Sequence, residues 1–153
     1  MTEPTKMIGN PKHIVLHTSA TEYNCNKNVI NRIHLEKGYL LIGYHFVITG
    51  SPFDTGIPQI QQGRRLIYQG AHAYHFNNTI GICVTGHGDV APWTEYQKYH
   101  LKVLVNSLQD IYSIPNENIL GHRETPYEDE HHLKTCPGNL IDMNEIRNFL
   151  RIT

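Results

Sequence analysis

The chain carries no internal repeat, no low-complexity tract and no run of like charge, so nothing in it marks a solenoid, a linker or a disordered tail. Lys and Arg number 13 against 14 Asp and Glu, a formal net charge of −1. That leaves no basic stripe to neutralise phosphates, and nucleic acid is excluded as the expected partner. The opening MTEPTKMIGNPK has an acid, two prolines and no apolar run. It reads as neither a secretory signal nor a membrane anchor, which predicts a protein that is cytoplasmic as synthesised and does not insert in membranes. Cysteine is scarce: Cys25, Cys83 and Cys136 are odd in number, widely spaced and free of any C-x-x-C knuckle. A chain of 153 residues buries roughly two-thirds of its unfolded surface without staples, so a disulfide framework is not expected. Histidine, by contrast, is abundant: eleven residues invite a search for metal ligands or acid–base groups.

Periodicity divides the chain into a polar leader, residues 1–12, and one domain, residues 13–153. The β-branched run 13-HIVLHTS-19 predicts a strand that closes on His17. Val29, Ile30 and Ile33 at helical spacing, followed by Gly38, predict a helix ended by a left-handed glycine. Strands are expected at 43–49, 65–69 and 80–86, with the Pro- and Gly-rich 50–63 as loop. Thr94 and Gln97 form a capping-box signature ahead of Leu101, Leu104, Leu108 and Ile111. A short strand at 118–124 then leads through a polar loop to a last helix, begun by Asp142 and Glu145 and carrying Ile146, Phe149 and Leu150. The order β-α-β-β-β-α-β-α predicts an α/β fold: a single domain with a mixed central sheet flanked by helices.

One thiol and two imidazoles, Cys136, His17 and His122, sit at predicted strand ends and in the late loop. Such a set suits zinc and disfavours magnesium or calcium, and three protein ligands with a fourth position open is the catalytic pattern. Spacing alone does not join them, because His17 precedes His122 by 105 residues. Taken singly, Cys136 also reads as a small buried side chain or as a nucleophile activated by histidine. Cys83 is most simply core, and Cys25 a free thiol in a polar loop.

Five ordered segments change that balance: 13-HIVLHTSAT-21, 34-HLEKGYLLIGYHFVI-48, 70-GAHAYHFNNTIGICVTG-86, 120-LGHRE-124 and 134-KTCPG-138. In this order they resemble the zinc-dependent N-acetylmuramoyl-L-alanine amidases, which include amidase-type phage lysozymes and the peptidoglycan recognition proteins. The resemblance implies one Zn2+ per chain held by His17, His122 and Cys136, with Tyr44 and Lys134 assisting catalysis and His72 near the substrate groove. It implies an amidase or recognition-protein-like fold and hydrolysis of the bond between N-acetylmuramic acid and L-alanine. The implied partner is bacterial peptidoglycan, attacked by a monomer released to the wall as a phage or prophage endolysin. The alternatives are a module that binds peptidoglycan without cutting it, and a cysteine hydrolase built on Cys136. The chain departs from the resemblance in the loop 127-YEDEHHLK-134, which widens the step from His122 to Cys136 to fourteen residues. That loop brings His131 and His132 as rival ligands and leaves the placement of Lys134 open. The loop 50–63 also differs from the short hairpin the resemblance would place there.

Overall fold

The computed structural model describes residues 3–23, 25–50, 59–127 and 134–151. Residues 51–58 of the predicted loop, and residues 128–133 with His131 and His132, lie outside the described residues.

Strand β1 (Ile14–Thr18) is wholly buried, as is β4 (Ile80–Val84). Both are apolar nearly throughout, which suits strands covered on two faces of a parallel sheet. They pair in parallel, His17 opposite Cys83. Strand β2 (Phe46–Ile48) runs parallel to β4 on its far side, and β5 (Ile119–Gly121) runs parallel to β1 on the other. Strand β3 (Ile60–Gln62) is antiparallel to β2, so the mixed sheet runs in the order β3-β2-β4-β1-β5.

Alternation along the strands sorts the two faces. Ile14 and Leu16 of β1, Ile80, Ile82 and Val84 of β4, and Ile48 of β2 point to one face. They pack there against Leu101, Leu104, Val105 and Leu108 of α2 (Glu95–Tyr112) and Met143, Ile146 and Leu150 of α3 (Met143–Leu150). Each such side chain withdrawn from water contributes about 1.5–3 kcal/mol. On the other face Val47 and Cys83 meet Ile30 of α1 (Lys27–Glu36), together with Cys25 and Ile42. Helices on both faces of a mixed sheet complete the expected α/β architecture.

The helix ends follow local chemistry. Asn26 caps α1 by accepting from the amides of Asn28 and Val29, and Gly38, with φ of 93°, follows its C-terminus. The Thr94–Gln97 capping box forms in both directions. Asp142 accepts from the amides of Asn144 and Glu145 at the start of α3. No helix among the described residues is long and apolar enough to cross a membrane.

Four expectations need correction. Residues 65–69 are not a strand; Arg64, buried, instead donates to the carbonyls of Leu41, Ile42 and Gln69 and folds this segment into a turn. A single antiparallel bridge, Lys6 with Tyr68, ties the turn to the N-terminal segment, and Ile67 stays 48% exposed. The strand beside β2 is the polar 60-IQQ-62, whose pattern is that of a short edge strand rather than a core one. Ile111 faces solvent, because Val105 and not Ile111 completes the buried stripe of α2. The strand expected at 43–49 begins only at Phe46, and Tyr44, before it, packs at the margin of the α1 side.

Candidate metal centre

The register of β1 against β5 brings His17 to His122. Leu16 pairs with Gly121, so the next residue on each strand is a histidine. Their Nδ1 atoms lie 3.0 Å apart and their rings 4.5 Å apart at 72°. Parallel pairing thereby cancels the sequence separation that spacing could not bridge.

Cys136 arrives from a turn held on three sides. The Arg123 amide donates to the Cys136 carbonyl at 2.8 Å. The Arg123 guanidinium donates to the carbonyls of Thr135, Gly138 and Ile141. Asp89 accepts from the Thr135 hydroxyl at 2.8 Å and the Asn139 amide at 2.7 Å, and these bonds hold its carboxyl below the usual range. The turn presses against Gly88 so closely that a Cβ on Gly138 would lie 2.1 Å from the Gly88 carbonyl carbon, and Gly138 has φ of 134°. So fixed, the Cys136 sulfur accepts from the Thr18 amide at 3.3 Å and lies 3.9 Å from His17 Nδ1.

One donor atom each from His17, His122 and Cys136 thus falls within 4.8 Å of the others, and all three residues are buried. In a tetrahedral zinc site such atoms stand about 3.3–3.6 Å apart, so small adjustments would close this set around one ion. The chemistry of the donors also fits. Burial pushes the Cys136 thiol up to about 12, against the opposing pull of the Thr18 amide. A nucleophilic cysteine needs the reverse shift, whereas a bound cation deprotonates a coordinating thiol outright.

Tyr44 and His72 flank the cluster through His17. The Tyr44 ring centroid is 4.9 Å from that of His17, and burial pushes its hydroxyl well above the usual tyrosine value, so it remains a neutral donor. His72 is buried, and its Nδ1 lies 3.0 Å from His17 Nε2. Burial takes its basicity well below the usual imidazole value. Lys134 is exposed and makes no hydrogen bond or ion pair among the described residues. A separate cavity of about 750 Å³ lies near His13 and Thr79, before β1 and β4 and at the strand ends opposite His17.

Sequence reasoning missed Arg123, Asp89, Thr18 and Thr79. Arg123 carried a signal, since a five-donor fork directly after a candidate ligand is placed to gather carbonyls. Asp89 and Thr18 carried none, because their partners lie far along the chain, and Thr79 carried none because its carbonyl acts through the backbone, which side-chain type does not mark.

Residues 8–139 match the family described as N-acetylmuramoyl-L-alanine amidase. The endolysin of Enterobacteria phage K11 is 30% identical over 131 residues, spanning 80% of this chain and 78% of that one. Among solved structures, the endolysin N-acetylmuramoyl-L-alanine amidase LysCS of Clostridium intestinale superposes with a TM-score of 0.79 at 27% identity, covering 99% of this chain and 91% of its own. Drosophila PGRP-LB superposes with a TM-score of 0.74 at 25% identity, over 95% and 84%. With its ordered motifs, its fold and its histidine–cysteine cluster in agreement, this chain belongs to the N-acetylmuramoyl-L-alanine amidase family.

Proposed function

We propose that this chain is a zinc-dependent peptidoglycan amidase that cuts between the lactyl group of N-acetylmuramic acid and L-alanine, and that it serves as a phage or prophage endolysin acting on the wall after release. The observation that carries this reading is the buried set of His17, His122 and Cys136 on a chain of this family. In it the side chains of His17, His122 and Cys136 would hold the ion. When bound, zinc supplies an acidified water and a polarised carbonyl, which an unactivated amide requires.

The remaining work falls to the chain. Water adds across the amide: its oxygen ends on the lactyl carbon, the C–N bond breaks, and the alanine amine leaves with a proton. Negative charge gathers on the carbonyl oxygen as this proceeds. Tyr44, kept neutral beside His17, donates its hydroxyl proton toward that oxygen. Lys134, two residues before Cys136, would add a positive charge to the same oxygen. The domain doing this spans residues 13–153, with residues 1–12 as its leader.

The test uses purified murein and the full chain. Chelation is expected to abolish release of free amino groups, added zinc to restore it, and Cys136→Ser to lose both the zinc and the activity. Hydrolysis that survives complete metal removal overturns the reading. A metal-loaded chain that binds murein without releasing amine establishes instead the non-cutting module.

A further inference from the structure

The imidazole behind His17 has a hydrogen-bond pattern that can be solved for its protons. His72 Nε2 lies 3.2 Å from the Thr79 carbonyl oxygen, which can only accept. It also lies 3.4 Å from the Thr79 hydroxyl, whose own proton is directed at the Phe76 carbonyl at 2.7 Å. Both neighbours therefore require the proton on His72 Nε2. A neutral imidazole then has a bare lone pair at Nδ1, and this atom faces His17 Nε2 at 3.0 Å. His17 must donate there, which leaves His17 Nδ1 bare on the side of His122 and Cys136.

The surroundings keep His72 in this pose. Its backbone amide and that of Ala73 both donate to the Asn77 side-chain oxygen, at 2.8 and 2.9 Å. The ring lies over Gly81 of β4, where a Cβ would come within 2.6 Å of its Cγ. The neighbouring His45 is locked as well, its Nε2 on the Tyr68 carbonyl and its Nδ1 accepting from the Gly81 amide. His45 thus competes for neither nitrogen of His72.

We infer that His72 is a positioning residue which, from the Thr79 carbonyl, sets the tautomer and orientation of His17 and so prepares His17 Nδ1 as a metal ligand. This rests on the reading of His17 as a zinc ligand and goes beyond it. Partners of this kind on a ligand histidine commonly change metal affinity 10–100-fold. His72 acts through His17 and need not touch substrate.

The experiment has two arms on the full chain. In the first, long-range 1H–15N correlation spectra of the metal-free wild type report the imidazole tautomers at neutral pH. Both His17 and His72 are expected as Nε2–H forms, and a His17 protonated at Nδ1 overturns the relay whether or not zinc binds. In the second, competition titrations measure zinc affinity. His72→Phe, which fills the space without an acceptor, is expected to weaken zinc about 10–100-fold. His72→Gln, which can both accept and donate, is expected to recover most of that loss. Equal affinity in the wild type and both variants overturns the inference. If His72→Phe does not fold, the Gln variant and the wild-type spectra still decide. A wild type that binds no zinc sinks the zinc reading alone, and the tautomer spectra then judge the relay.

Discussion

Arg123 is the residue on which the geometry of Cys136 turns. Its guanidinium reaches the carbonyls of Thr135, Gly138 and Ile141, three points on one turn, while its neighbour His122 faces His17. A lysine keeps the charge but offers a single ammonium in place of a planar fork, so it cannot hold all three in the same geometry. Arg123→Lys is therefore expected to lower stability by about 1–3 kcal/mol in urea unfolding and to weaken zinc binding with it. An unchanged midpoint together with unchanged affinity would show that the turn holds without the cradle. Tyr44 teaches a different lesson at this scale. Its place beside His17 was legible only through the family resemblance, because Tyr44 lies before β2 begins and strand alternation does not set its direction.

Among the elements, α2 was the most legible, and its capping box and apolar stripe formed where the residues indicated. Leu101 is 1% exposed in the main core, so Leu101→Ala is expected to cost about 2–5 kcal/mol by thermal or urea unfolding. Thr94→Ala, which removes the cap and leaves the core intact, is expected to cost about 1 kcal/mol. If the two losses come out equal, α2 is not seated on the sheet as described. Strand β3 was illegible for a physical reason: its residues, Ile60, Gln61 and Gln62, are held by backbone pairing to β2, and main-chain bonds leave no mark in side-chain hydrophobicity. The rejected strand at 65–69 is the same fact seen from the other side. Apolar residues there were overruled by the buried Arg64, which joins the Gln69 carbonyl to those of Leu41 and Ile42.

For the whole molecule, buried neutral histidines tie stability to pH. Burial lowers His34 to about 4, with help from Lys37 and Arg64, and its Nδ1 accepts the Gly43 amide at 2.9 Å. Burial likewise lowers His45 to about 4, partly opposed by its bond to the Tyr68 carbonyl. In the unfolded chain both return to the ordinary value of 6.5. Between these values the unfolded state binds more protons, so their contribution is fully present above about pH 6.5 and is lost as pH falls toward 4. Urea midpoints are expected to drop from pH 7 to pH 5, and His34→Gln, which still accepts an amide proton, should show a shallower drop. An identical slope in the variant would remove His34 from the account.

What this sequence determined by itself is local: helices with their caps, apolar strands, their order along the chain, and the residue types able to hold zinc. Short-range chemistry suffices for these, since caps and periodicity act within a few residues. The meeting of His17, His122 and Cys136 was decided by tertiary structure. It depends on the β1–β5 register and on a turn gathered by Arg123 and Asp89, interactions between residues up to 119 apart whose energies belong to pairs and not to positions. The proton on His17 was decided in the same way, by a carbonyl at Thr79 that reaches it only through His72.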